Sequence, residues 1–180
     1  PIINPVTNIV EPEAYRLART IASIGKIDLL KAKSWSISLS SSEKNKGAQA
    51  TLSIPRPFIA IHTGYHEDFK KNKDWGYDNW ADLLKQLRKR LNNYGLMIVG
   101  GSKDEERAKS LLKIWGEGGI SLCGKLTPRE TAAAIFHSNL FCGHDAGPMH
   151  LAHSVGVKVL GIFGDHNKPN EWYHPSQYLT

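Results

Sequence analysis

NLFCGHDAGPMHLAHSVGVKVLGIFG, residues 139–164, is the stretch that decides the fold. An apolar run over 139–144 has strand length, and a second over 157–164 matches it. Between them PMHLAHSVG, 148–156, has the length of a short helix closed by glycine. Continuous apolar strands, rather than alternating ones, are buried on both faces, as in a parallel sheet crossed by helices. A polar knot, His144-Asp145-Ala146-Gly147, sits where the first strand ends and the helix begins.

The same unit recurs upstream. PFIAIHT (57–63), GLMIVGG (95–101) and GISLCG (119–124) have the apolar character of strands. YDNWADLLKQLRKRL (77–91) places Trp80, Leu83, Leu84, Leu87 and Leu91 at helical spacing, with Asp78 as candidate cap. SKDEERAKSLLKIW (102–115) opens with Ser102 and Glu105 at capping-box spacing and predicts burial of Ala108, Leu111, Leu112 and Trp115. TPRETAAAIFHS (127–138) repeats the box with Thr127 and Glu130, and has Pro128 at the first helical position. The order β-α-β-α-β-α-β-α-β predicts an α/β fold, a Rossmann-like doubly wound parallel sheet.

Residues 1–56 read as a connecting segment and 57–180 as the Rossmann-like domain. Within the first part, 1–10 has linker character, 12–24 reads as a helix ended by Gly25, and WSISLS, 35–40, alternates like an edge strand. Residues 41–57 are polar and then proline-punctuated, with part of the stretch expected to be helical. The chain opens on Pro1 rather than Met, so a fragment or processed product is expected.

Composition narrows the class. The 180 residues carry 41% hydrophobic and 22% charged residues, ordinary for a soluble domain, and a net charge of +6. That sign suits an anionic partner or simply a solvated surface. The basic residues are too dispersed for the stripe with interleaved aromatics that a nucleic-acid binder needs. Cys123 and Cys142 have no CxxC spacing, and two buried free thiols fit a reducing compartment. No apolar run reaches membrane-span length, and no signal peptide stands at the start. His144, Asp145, His150 and His153 are close in sequence but lack HExxH spacing, so no metal site is expected.

Small residues recur where the strands end: Thr63-Gly64, Gly100-Gly101, Gly124, Ala146-Gly147 and Gly164. Ligands of doubly wound sheets bind at those ends, beside helix N-termini that favour anions. Neither GxGxxG nor a P-loop is present.

DAGPMHLAHSVGVKVLGIFG resembles the Asp–Ser/Thr–Gly–x–x–His signature of glycosyltransferase family 9, the ADP-heptose:lipopolysaccharide heptosyltransferases. FIAIHTG followed by Lys73-x-Trp75, MIVGGSKDEERA, and LCGKLTPRETAAAIFHSNLFCG are similar to other runs of that family, in the same order, so the resemblance covers about 57–165. It implies the donor-binding half of a GT-B glycosyltransferase, preceded by the connecting segment. The reaction implied is inverting transfer of heptose from ADP-heptose to the lipopolysaccharide inner core, with no cofactor or essential metal. The acceptor half and its catalytic base have no counterpart here, so no catalytic residue is expected in this chain. The partners implied are the nucleotide-sugar donor and, through the other half, the lipopolysaccharide acceptor. The location implied is cytoplasmic, with peripheral contact at the inner membrane. Another nucleotide-sugar, or a non-catalytic nucleotide-binding module, remains the alternative.

Carried over by position, the resemblance implies the following roles. Thr63 and Gly64 line the diphosphate and Lys73 neutralises it, with Lys70 and Lys71 as alternates because the loop is long. Asp104, or next Glu105, holds the ribose. Leu126 packs on adenine, flanked by Lys125 and Thr127. Asp145 faces the sugar hydroxyls, Ala146 and Gly147 offer backbone N–H groups to phosphate, and His150 supports that loop. Two departures bear on donor choice: Ala146 replaces the usual hydroxyl residue, and Lys158 replaces the proline often found there.

Overall fold

A computed structural model describes residues 13–28, 31–64 and 74–163. Five strands form one sheet: β1 (Phe58–His62), β2 (Gly95–Ile98), β3 (Gly119–Ser121), β4 (Leu140–His144) and β5 (Val159–Ile162). All pairings are parallel, in the order β3-β2-β1-β4-β5. The helices are α1 (Glu13–Thr20), α2 (Ser41–Ala50), α3 (Tyr77–Arg90), α4 (Glu105–Trp115), α5 (Pro128–Ile135) and α6 (Gly147–Ser154). The chain builds outward from β1 to β3, then crosses back to lay β4 on the other side of β1. That reversal is the topological switch point of a doubly wound sheet.

Every residue of β1 is buried, which is why its apolar run does not alternate. Ile59 and Ile61 face Trp80, Leu84, Leu111 and Trp115 from α3 and α4. Phe58 and Ala60 face Ala134, Ile135, Met149 and Ala152 from α5 and α6. The Leu, Trp and Ala stripes read at helical spacing are thus the two cores. Cys123 and Cys142 are free and buried, and burial pushes both thiols up to about 11.

Local starts are mixed. Thr127 and Glu130 form the expected capping box, with Pro128 behind it. The Ser102–Glu105 box does not form. Ser102–Asp104 is a 3-10 turn, and α4 begins only at Glu105, because the Asp104 carboxylate accepts from the Gly101 N–H at 2.7 Å. Nor does Asp78 cap α3: the cap is Gly76, at φ 93, and Asp78 lies in the first turn.

The edge strand expected at 35–40 is absent. Ala32–Trp35 forms a 3-10 turn, and the extended residues after it pair with no strand among the described residues. Their alternation is real, with Trp35, Ile37 and Leu39 half-buried, but the Ile37 N–H meets the Ser154 carbonyl at the end of α6, 2.8 Å away. α2 docks on α5 at Gly47, where a Cβ would come within 2.3 Å of the Ala133 carbonyl oxygen, and Arg129 of α5 holds Glu43 of α2 at 2.6 Å. Among the described residues α1 adds nothing to either core, and Leu17 and Ile24 are exposed. The expected linker 1–10, the residues 65–73 and the last small strand end at Gly164 lie outside the described residues.

Candidate functional site

The switch point places the carboxyl ends of β1 and β4 side by side, with His62 opposite Gly143. Beyond them run Thr63 and Gly64 on one strand, and Asp145, Ala146 and Gly147 on the other. α6 starts here: Ala146 is its cap residue in extended conformation, with no side-chain oxygen to bond the first turn. Gly147 is exposed, and a Cβ built on it meets none of the described residues within 4 Å. The helix end brings partial positive charge and backbone N–H groups to this opening.

The acids are set back from it. Asp145 is only 7% exposed in its side chain, and its carboxylate lies 3.5 Å from His150 Nε2. Asp104 is buried beneath Gly64, 4.0 Å from His62 Nε2. A Cβ on Gly64 would come within 2.3 Å of His62 Nε2 and 3.0 Å of Asp104 Oδ1. Thr63 is buried with its hydroxyl unbonded among the described residues.

Two residues that the sequence reading passed over hold this edge together. Arg107, on α4, donates to the Thr63 carbonyl at 2.8 Å and clasps Asp74 with two bonds of 3.0 and 2.8 Å. Asp74 in turn accepts from the Gly76 N–H at 3.0 Å. Burial resists ionisation of Asp74, but the bonds from Arg107 and Gly76 outweigh it and hold the carboxyl below its usual range. His144, at the end of β4, accepts the Trp75 N–H at its Nε2, 3.1 Å away. The neutral ring therefore carries its proton on Nδ1. Burial lowers the His144 pKa, against the pull of Asp74 and the Gly64 backbone, with Arg107 adding to the lowering. One signal for Arg107 was available: it lies one turn after Asp104 and one before Leu111, on the inward stripe of α4.

A second group gathers beyond β3. The Ser121 hydroxyl donates to Glu105, and Lys125 Nζ lies 4.0 Å from the Glu105 carboxylate and 2.8 Å from the Ser121 carbonyl. Leu126 packs partly into the α5–α6 core, and Thr127 is engaged in capping α5. The structure thus brings Thr63, Gly64, Asp145, Ala146, Gly147 and His150 to the switch point, with Asp104 buried below. It sets Glu105 beside Lys125. The carboxylate of Asp104 is buried and bonded to the Gly101 N–H. Lys73, with Lys70 and Lys71, lies outside the described residues. Among the described residues no three His, Cys, Asp or Glu side chains gather as a metal site.

A parallel sheet in this order, with a helix N-terminus and small residues at its switch point, defines a Rossmann-like domain with an opening suited to an anionic ligand. The chain belongs to glycosyltransferase family 9 (heptosyltransferase), whose family model matches residues 6–175. Lipooligosaccharide heptosyltransferase 2 of Campylobacter jejuni is 29% identical over 100 residues, 53% of this chain and 30% of that protein. The lipopolysaccharide core heptosyltransferase OpsX of Haemophilus influenzae is 22% identical over 98 residues, 54% of this chain and 28% of that protein. The chain thus aligns with less than a third of these curated relatives. Among solved structures, a family 9 glycosyltransferase of Veillonella parvula superposes with a TM-score of 0.72 at 22% identity, covering 94% of this chain and 48% of that one. E. coli ADP-heptose lps heptosyltransferase II gives 0.64 at 22% identity, over 79% and 44%. At these identities the structural likeness is one of fold.

Proposed function

We propose that this chain is the donor-binding domain of an inverting GT-B glycosyltransferase that transfers heptose from ADP-heptose to the lipopolysaccharide inner core. Gly147 carries the reading. Among the described residues nothing requires a glycine there, since a Cβ would meet none of them within 4 Å. A ligand drawn up to the backbone of α6 does require one. The diphosphate sits at the start of α6, beside Thr63 and Gly64, and Lys73 supplies a compensating charge. Glu105, rather than the inward Asp104, reaches the ribose, with Lys125 next to it and the base packed against Leu126. Asp145, steadied by His150, faces the sugar. The domain's task in the reaction is electrostatic: it stabilises the charge that grows on the leaving diphosphate. The acceptor and the base that activates it belong to the other half of the enzyme, which acts in the cytoplasm at the inner membrane. Among the described residues no helix is long and apolar enough to cross a membrane.

Calorimetry of the chain with ADP, GDP and UDP tests this reading. ADP should bind weakly but in preference to the others, with no sugar transfer by this chain alone. Gly147→Ala should keep the melting temperature and lose ADP binding. Equal binding of all three nucleotides, or none, overturns the donor assignment. A preference for GDP or UDP keeps the fold's role and changes the donor.

A further inference from the structure

Arg107 touches both sides of the chain's path from β1 to α3. One guanidinium nitrogen meets the Thr63 carbonyl as the chain leaves the sheet, and the fork closes on Asp74 just before α3 begins. The return is pinned a second time from β4, by His144 on the Trp75 N–H. Trp75 packs edge-on against Trp80, 5.2 Å between ring centres, and Trp80 against His144 at 5.5 Å. Departure and return of the chain are therefore fixed to α4 and to the end of β4, the strand beside β1.

We infer that Arg107 is a positioning residue of this site: by holding the Thr63 carbonyl and the Asp74 carboxylate together, it sets how Thr63 and Gly64 face the start of α6. The inference rests on the nucleotide reading for its ligand, but the clamp itself does not. A planar fork can serve two acceptors at once in fixed geometry, whereas a lysine ammonium is a point charge on a flexible stem. Because Asp74 is ionised, its charge offsets that of Arg107. The positive charge of the pair is therefore largely spent, and its contribution to an anionic ligand comes through geometry.

Charge and geometry make opposite predictions for Asp74→Asn. The change keeps the shape of the side chain, adds net positive charge at the site, and breaks the ion pair. If Arg107 acted on the diphosphate by charge, ADP would bind as tightly or more tightly. A clamp predicts ADP binding weaker by on the order of tenfold. Arg107→Lys should lose as much as Arg107→Ala, since keeping the charge does not restore the fork. Hydrogen exchange supplies the readout that is independent of ligand. The Trp75 amide is bonded to His144 and not to Asp74, yet it should exchange about tenfold faster in both Asp74→Asn and Arg107→Lys. Unchanged ADP affinity in Asp74→Asn, tighter binding, or rescue by lysine overturns the positioning role. An unchanged Trp75 exchange rate overturns the clamp. If the unsubstituted chain binds no ADP, the nucleotide reading falls, and the exchange measurement alone decides whether Arg107 holds the edge.

Discussion

Replacing Ala146 with serine adds the one oxygen that the start of α6 lacks. The cap residue is already extended, at φ −155 and ψ 170, which is the backbone region a capping serine occupies. The Met149 N–H, three residues on, bonds the Ala146 carbonyl at 3.0 Å and the His150 N–H reaches the same oxygen at 3.4 Å. A serine Oγ would share the Met149 donor and relieve that crowding. Capping substitutions are worth about 0.5–2 kcal/mol, and because Met149 is not orphaned here the gain should sit near the low end, about 0.5–1 kcal/mol. For a chain of this size each kcal/mol shifts the melting temperature by roughly 2–4 °C. Thr127→Ala supplies the opposite control on α5, because there the box exists: Thr127 Oγ1 accepts from the Glu130 N–H at 3.3 Å and donates to its carboxylate at 2.8 Å. It should cost about 1–2 kcal/mol. Scanning calorimetry of both variants measures the pair. Ala146→Ser should melt higher and Thr127→Ala lower, and the new hydroxyl should tighten ADP binding in the first. A lower melting temperature for Ala146→Ser would show that the start of α6 does not have the cap geometry described.

Gly64→Ala should destabilise the fold by roughly 1–3 kcal/mol through overpacking, since its Cβ would press on His62 Nε2 at 2.3 Å and neither His62 nor Asp104 has room to retreat; urea unfolding at neutral pH checks this, and a wild-type midpoint would refute it. His144 makes stability depend on pH: its folded pKa lies below that of the unfolded chain, near 6.5, so its contribution is complete above that pH and is lost as pH falls through the folded value. Urea unfolding at pH 7.5 and at 5.5 should therefore show a loss that His144→Asn reduces, while the Asp74 contribution, lost only below the ordinary carboxylate range, stays constant. Leu84→Ala opens the α3 side of the core and should cost about 2–5 kcal/mol, because Leu84 is fully buried. Glu105→Gln should weaken ADP but leave inorganic diphosphate binding unchanged, if it is the ribose that Glu105 reaches.

What was legible in the sequence were the features with a period or a spacing. Phe58–His62 and Leu140–His144 read as buried strands because both faces are covered, and the Thr127–Glu130 box could be read as written because its partners are three residues apart. The features that escaped depend on contacts distant in sequence. The Trp35–Leu39 alternation is a true pattern, but period alone does not say whether its partner is a strand or a helix end. Ser102 and Glu105 have the right spacing for a box, yet Asp104 outcompetes Ser102 because its carboxylate can reach the Gly101 N–H. Arg107 and Asp74 are 33 residues apart, and nothing local joins them. Thr63, Gly64, Asp145, Ala146 and Gly147, which the resemblance groups, lie together beyond the carboxyl ends of β1 and β4. Which acid faces inward was decided by tertiary packing.

The diphosphate proposed for this edge would meet acids close by. Two carboxylates flank the opening, and each would repel a diphosphate if it stood in solvent beside it. Both are withdrawn instead: Asp104 is 4% exposed and Asp145 7%, and each has a histidine ring facing it, at 4.0 and 3.5 Å. Asp74, the third nearby acid, is clasped by Arg107. Asp104 is bonded to the Gly101 N–H and Asp74 to Arg107, so both help to fasten the strand ends. Among the described residues, the α6 N-terminus and its backbone N–H groups face this opening, at Gly147. An edge rich in acids can in this way still leave a helix N-terminus open to an anion, provided most of its carboxylate surface is buried.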